Sequence, residues 1–337
     1  MLVVTIDIGT TNSRIKVIEN DKIISTAKSK IGIKDVAITG NKKKLEEELF
    51  KIIEKGLGYI NKTIDDVEYF IASGMVTSNL GLVEVPYIKC PAGIEDLIKG
   101  TIKKEFQWLN NKPAFFIPGV KNNVSNINNV NNLDEIDVMR GEEVETFGIM
   151  KLCNVEGPAL IILPGSHTKF VYINDENKIE KCSTTMLGEF MHALSTSTIL
   201  SSSLLENLVT EIDKEYILKG MDFERNYGIT KTAFYVRIMD MFLDTTSNQR
   251  ANFLAGALIN NDIAPYIIAD IKKSYKKVFI GGSSPLKEIF KIALESLDIN
   301  DITVKVVSDD ISYNASSIGA LLVGDRIYKN SNNNLKS

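Results

Sequence analysis

Apolar residues in this chain come in short blocks separated by polar turns, the pattern of alternating strands and helices. Leu2-Val3-Val4-Thr5-Ile6 has the length of a buried strand and stops at Asp7. A second β-like stretch, Arg14-Ile15-Lys16-Val17-Ile18, follows a Gly-Thr-Thr turn. Residues 1–33 read as three strands joined by tight turns, the second turn at Asn20-Asp21. Leu45, Leu49, Ile52, Ile53 and Leu57 fall at helical spacing. Val67 to Ala72 predicts a strand, Leu97 to Phe106 a helix, and Ala114 to Ile117 a strand ended by Pro118-Gly119. Ala159 to Leu163 and Phe170 to Ile173 restart the strand–turn–strand pattern, with the next turn at 174–177. Helices are predicted over Ser201–Leu208, Ala233–Leu243 and Arg250–Ile271. A strand at Lys277–Ile280 then ends in Gly281-Gly282-Ser283-Ser284, and a helix opens at Pro285.

One stretch breaks the pattern. Asn122 to Asn132 is mostly asparagine and cannot bury a core, so it reads as a surface loop or linker. Its place before a charged motif suits a mobile active-site loop; a plain spacer fits equally well. The expected organisation is an N-terminal domain over 1–121, a linker over 122–136, a C-terminal domain over 137–328 and a polar tail over 329–337.

Composition narrows the classes. The 337 residues are 44% hydrophobic and 24% charged, with a net charge of -4 and no basic face, which argues against nucleic acid as a partner. Cys90, Cys153 and Cys182 lack metal-like spacing and read as reduced small hydrophobes. The longest apolar run is far too short for a membrane span, and the chain begins directly in a strand. The expectation is a cytoplasmic protein without membrane contact.

The turns carry the candidate chemistry. Gly9, Thr10 and Thr11 at a hairpin tip can offer backbone N–H groups to a phosphate, and Asp7 at the strand end can hold a metal ion bridging it. No Gly-Lys-Ser/Thr follows, so this is not a P-loop. Gly165, Ser166 and His167 form a second such turn, and Gly281-Gly282-Ser283 a third that allows close approach of a flat group. Each turn alone fits an ordinary connector; their order along the chain is more specific.

That order is similar to the actin-like ATPase and sugar kinase superfamily. Within it the chain resembles the 2-dehydro-3-deoxygalactonokinase family. The resemblance rests on Asp7-Ile-Gly-Thr-Thr-Asn-Ser-Arg14, Ser73-Gly-Met-Val-Thr-Ser-Asn-Leu-Gly81, Val85-Pro-Tyr87, Val138-Met-Arg-Gly-Glu-Glu143, Pro164-Gly-Ser-His-Thr-Lys169, Met186-Leu-Gly-Glu189 and Phe253-Leu-Ala-Gly256. It implies two α/β domains of the ribonuclease-H-like type meeting at a cleft, and ATP with Mg²⁺ as cofactors. The implied reaction is transfer of the γ-phosphoryl group to the terminal (C6) hydroxyl of 2-dehydro-3-deoxy-D-galactonate. Another sugar-acid or small-metabolite kinase, or a non-catalytic actin-like ATPase or sensor, is the alternative. A homodimer is compatible with the sequence.

Roles follow from this expectation. Asp7 organises the metal, and Gly9, Thr10, Thr11, Gly165, Ser166, His167, Gly281, Gly282 and Ser283 hold the nucleotide. The base is sought at the start of a helix-like run, where backbone N–H groups hold a carboxylate. Glu142 leads there, with Glu143 and Asp137 behind it. A 2-keto acid needs a cation for its carboxylate; Arg140 leads, with Arg14 and Arg237 weaker. Asn12, Met75, Ser78, Asn79, Lys169 and Glu189 complete the expected substrate contacts, and His192 is expected to be an ordinary helix histidine. Leu258-Ile259-Asn260-Asn261-Asp262 departs from the Gly/Ala-rich helix of relatives, which removes the basis for an adenosine contact there.

Overall fold

The computed structural model describes every residue except 125–129, 205–207, 264, 298 and 335–337, with backbone alone over 331–334. The chain divides into two compact units. The first takes Met1–Val155, Asn177–Cys182 and Tyr313–Ser337; the second takes Glu156–Glu176 and Ser183–Ser312. Residues 137–155 and the segment from Tyr313 onward thus pack with the first unit, whereas the expected C-terminal domain began at 137.

The first unit opens with β1 (Leu2–Ile8), β2 (Ser13–Glu19) and β3 (Lys22–Ser29), then α1 (Ile33–Thr39), α2 (Lys42–Gly58) and β4 (Tyr69–Gly74). It continues through β5 (Ile88–Lys89), α3 (Ile94–Gly100), β6 (Ile102–Glu105), β7 (Pro113–Phe116), β8 (Val120–Lys121), β9 (Val138–Met139) and α4 (Glu142–Cys153). The main sheet runs β3-β2-β1-β4-β7-β6. β1, β2 and β3 pair antiparallel, whereas β1, β4 and β7 pair parallel. β4 is buried throughout and β1 nearly so, as expected of strands covered on both faces. α2 buries Leu45, Leu49, Ile52, Ile53 and Leu57, the stripe read from the sequence, into this core. β5, β8 and β9 make a small separate sheet.

The helix predicted over 97–106 is replaced by two elements. α3 stops at Gly100, and β6 pairs antiparallel with β7 as an edge strand exposing Lys103 and Lys104. Sheet pairing overrides the local pattern here. Of the Asn-rich loop, 125–129 lies outside the described residues, and Val130–Glu135 forms 3-10 turns.

The second unit contains β10 (Ala159–Leu163), β11 (Thr168–Ile173), the end of β12 (Ile179–Thr185, counted with the first unit as far as Cys182), α5 (Leu187–Ser197), α6 (Lys214–Tyr227) and α7 (Ile229–Phe242). Then come α8 (Ser247–Asp262), α9 (Pro265–Lys273), β13 (Lys277–Ile280), α10 (Leu286–Glu295) and β14 (Thr303–Val306), before a C-terminal helix at Asp309–Asn334. Its sheet runs β12-β11-β10-β13-β14, with β10–β11 antiparallel and β10–β13–β14 parallel. Both units therefore carry the mixed sheet of a ribonuclease-H-like domain, an antiparallel hairpin leading into parallel strands.

The helix predicted over 250–271 is two helices, because Pro265 cannot continue the first one's hydrogen-bond ladder. The predicted 201–208 helix is a 3-10 turn at Ile199–Ser202 where described; 205–207 lies outside the described residues. Among the described residues no helix is long and apolar enough to cross a membrane.

Candidate active site

The β1–β2 register sets Asp7 opposite Arg14 at the mouth of the first hairpin. Gly9 N–H donates to the Asn12 carbonyl at 2.9 Å and closes the turn. The first amides of α1 then fix it: Ile33 N–H donates to Gly9 O at 3.1 Å and Lys34 N–H to Thr10 O at 2.9 Å. Thr10, Thr11 and Asn12 remain exposed.

Asp7 is half-buried, and withdrawal from water raises its carboxyl above the usual range. The charges of Arg14 and Lys16 and a hydrogen bond with Ser316 oppose that rise. Lys16 is fully buried, donating to the Tyr313 carbonyl and to Asn314 Oδ1 at 2.8 Å. The Tyr313 ring lies 4.0 Å from Lys16 Nζ, 4.7 Å from Lys28 Nζ and 4.8 Å from the Arg14 guanidinium carbon. A cavity of about 580 Å³ opens here, lined by Asp7, Gly9, Asn12, Arg14, Lys28 and Lys30 among others.

α4 brings its acids to the same unit's hairpin. Its first residues follow Gly141, which has φ +114°. Glu142 Oε2 accepts from Arg140 N–H at 3.0 Å, and Glu143 Oε2 accepts from Gly141 N–H at 2.7 Å. Glu143 is fully buried, its Oε1 has no partner, and its carboxyl is pushed up to about 8 by burial and by the charge of Glu142. Glu145, one turn after Glu142, is also pushed up to about 8, by withdrawal from water and by the charges of Glu142 and Asp7, against Arg14. Asp7, Glu142 and Glu145 therefore share one electrostatic neighbourhood. No three His, Cys, Asp or Glu side chains among the described residues could jointly hold a metal ion.

The other expected first-unit residues surround this centre. Asp137 precedes β9, its Oδ1 accepting from Val138 N–H at 2.6 Å. Arg140 donates to Thr77 O at 2.7 Å, Thr77 Oγ1 at 2.5 Å and Val85 O at 2.9 Å, and its guanidinium carbon stacks 4.1 Å from the Tyr87 ring centre. Its two terminal nitrogens thus hold the 73–85 segment in place. Ser78 is buried and donates to Met75 O at 2.7 Å; Met75 is half-buried; exposed Asn79 accepts from Lys42 through its carbonyl.

The second unit assembles the remaining turns. Gly281 N–H donates to Ile162 O at 2.8 Å, and a Cβ on Gly282 would lie 2.7 Å from Pro164 O. The Gly281-Gly282-Ser283 turn therefore packs on the start of the Gly165-Ser166-His167 turn. α5 docks on the same loop: Glu189 N–H donates to Ser166 O at 3.2 Å, and Glu189 Oε1 meets His167 Nε2 at 3.2 Å. Lys169 is buried in β11 and donates to Thr184 Oγ1 at 2.7 Å. A cavity of about 400 Å³ lies between α5 and the start of α10, lined chiefly by Gly188, Met191, His192, Leu208, Val209 and Leu286. His192, expected to be ordinary, thus lines a cavity. Arg237 is paired with Asp240 at 3.0 Å on α7.

Sequence reasoning missed Glu145, Lys16, Lys28 and Tyr313. Glu145 was within reach, since i,i+3 places it on the face of Glu142. Tyr313 approaches its cations from almost 300 residues away in sequence, and no local pattern reports that.

A family model described as 2-keto-3-deoxy-galactonokinase matches residues 7–313, and the chain belongs to that family. No curated protein matches it. Among solved structures, a Sinorhizobium meliloti protein assigned as a 2-dehydro-3-deoxygalactonokinase is 23% identical, with a TM-score of 0.74 over 96% of this chain and 99% of that one. The activator of the 2-hydroxyisocaproyl-CoA dehydratase from Clostridium difficile, with bound ADPNP, is 12% identical, with a TM-score of 0.54 over 99% and 98%. Component A of the (R)-2-hydroxyglutaryl-CoA dehydratase of Acidaminococcus fermentans is 11% identical, with a TM-score of 0.51 over 98% of each chain. These likenesses support the two-domain actin-like fold.

Proposed function

We propose that this member of the 2-keto-3-deoxy-galactonokinase family transfers the γ-phosphoryl group of ATP to the C6 hydroxyl of 2-dehydro-3-deoxy-D-galactonate, within cytoplasmic sugar-acid catabolism. The observation that carries the reading is that Glu145 of α4 lies close enough to Asp7, at the Gly9-Thr10-Thr11 hairpin, and to Glu142 for both charges to act on it. Phosphoryl transfer needs phosphate donors, a metal-organising carboxylate and an acceptor for the hydroxyl proton.

The exposed hairpin residues Thr10 and Thr11 supply phosphate donors, and Arg14 adds a cation beside them. Carboxylate oxygens suit Mg²⁺, which keeps several of its waters. Because no three His, Cys, Asp or Glu side chains among the described residues converge on one point, Asp7 and Glu145 would hold it through water and the nucleotide phosphates. When bound, the ion neutralises charge on the transferring group. Glu142, anchored by Arg140 N–H at the start of α4, accepts the hydroxyl proton. Glu143 beneath it holds the Gly141 amide and thereby the start of the helix. With the terminal nitrogens of Arg140 occupied, Arg14, Lys28 and Lys30 are the cations left to meet the sugar acid's carboxylate. In the second unit, the Gly165-Ser166-His167 turn offers phosphate donors of its own, and the cavity between α5 and the start of α10 takes the adenosine, its apolar lining suiting a flat base.

The test is ADP release against a panel of 2-keto-3-deoxy sugar acids, with the phosphorylated carbon of the product located by phosphorus–proton coupling. The galactonate derivative should give the highest kcat/KM, with phosphate on C6. Well-folded protein releasing no ADP with any of them would overturn the reading. Light scattering would show whether the working form is a homodimer.

A further inference from the structure

His167 and Glu189 form a side-chain pair that the phosphate-binding role of the second turn does not by itself require. His167 Nε2 lies 3.2 Å from Glu189 Oε1, and both side chains are nearly half exposed. The contact joins two elements held together independently of it. Glu189 N–H donates to Ser166 O at 3.2 Å. Gly188 packs so tightly on the loop that a Cβ there would lie 2.3 Å from Gly165 O and 2.8 Å from Ser166 Cα. α5 is thus seated on the Gly165-Ser166-His167 turn, and Glu189 reaches the imidazole from a fixed base.

The chemistry of the pair follows from its donors. A carboxylate only accepts, so the imidazole must carry its proton on Nε2 to bond with it. The neutral ring then has a lone pair at Nδ1; the protonated ring offers Nδ1–H as a second donor, with the carboxylate balancing its charge. Carboxylates commonly orient functional imidazoles in this way.

We propose that Glu189 is a positioning residue that acts through His167: it accepts the ring's Nε2–H, and the protonated ring then donates Nδ1–H to the terminal phosphoryl group of the bound nucleotide. The proposal rests on the kinase reading and replaces the expectation that Glu189 touches the sugar acid.

The test is a double-mutant cycle of His167→Ala and Glu189→Ala, with Glu189→Gln as the conservative variant. Binding of ADP and of a non-hydrolysable ATP analogue is measured by calorimetry, and the KM of each substrate by ADP release. Each single alanine variant should weaken the ATP analogue by about tenfold or more, the worth of one hydrogen bond to a charged group, with ADP affinity unchanged. The double variant should fall no further than His167→Ala alone. Glu189→Gln, which keeps an acceptor of the same length, should recover most of the loss. Additive losses, or a raised sugar-acid KM with ATP-analogue affinity unchanged in Glu189→Ala, would overturn the proposal. Calorimetry needs no turnover, so it tests the pair even if wild-type protein phosphorylates none of the sugar acids, an outcome that would remove the kinase reading instead.

Discussion

Gly141 meets Gly74 at backbone distance: a Cβ built on Gly141 would lie 3.1 Å from Gly74 Cα. Both have positive φ, +114° and +82°. This contact sets the first turn of α4 against the end of β4, the strand paired with β1 beside Asp7. Gly141→Ala adds a crowded methyl at a φ that L-residues avoid. It should cost about 1–3 kcal/mol of stability. Turnover should fall further than stability does, because Glu142 and Glu145 shift with the helix. Denaturant unfolding and ADP release, measured together, check this.

Glu142 and Glu145 should separate by phenotype. Glu142→Gln should retain nucleotide binding and lose about 10²–10⁴-fold in kcat, the range for removal of a general base. Glu145→Gln should raise the Mg²⁺ concentration needed for half-maximal rate, with the sugar-acid KM unchanged. A Mg²⁺ titration of both variants decides; exchanged phenotypes would exchange the two roles.

Glu143 gives a pH signature in stability. Its carboxyl is pushed up to about 8 in the folded protein, from an ordinary value of 4.5. Between those limits the folded state keeps a proton that the unfolded chain has released. Stability from this group therefore falls as pH rises through that window. Glu143→Gln removes the titration and leaves an oxygen for the Gly141 amide. The variant should gain on wild type as pH rises from 5 to 9, reaching on the order of a few kcal/mol. Parallel urea titrations across that range test it. A constant difference would mean that Glu143 is ionised throughout.

The first hairpin was legible because strand periodicity and turn chemistry agree there. Asn20 and Asp21 both adopt positive φ, as two short polar residues at a β2–β3 turn suggest. The Gly-rich turn before Pro285 was legible for the same reason, since α10 starts just after it. The 97–106 segment was not, because its last residues are fixed by pairing with β7 rather than by their own pattern. The acids of α4 were located by motif, yet their individual surroundings were not: adjacent Glu142 and Glu143 differ in burial because they lie on different sides of the helix. Arg140 shows the same limit. Its position was legible and its hydrogen-bond partners, Thr77 and Val85, more than 50 residues away, were not.

Arg140 yields the last prediction. Its guanidinium bonds two backbone carbonyls and a hydroxyl while lying flat against Tyr87. Lysine carries the same charge but cannot reproduce a planar fork that bonds Thr77 and Val85 together. Arg140→Lys should leave at least one of these carbonyls unpaired and loosen the 73–85 segment. The cost should be about 1.5–3 kcal/mol, the worth of a hydrogen bond to a charged group. Because Ser78 and Asn79 lie in that segment, the sugar-acid KM should rise as well, with the ATP KM little changed. A direct ligand to the substrate carboxylate would behave differently: the KM would rise and the melting temperature would hold. Measuring both on Arg140→Lys and on Tyr87→Leu separates the cases. Tyr87 supports the guanidinium plane, so its loss should reproduce a weaker form of both effects if Arg140 holds the loop, and a KM effect with the melting temperature unchanged would count against that role.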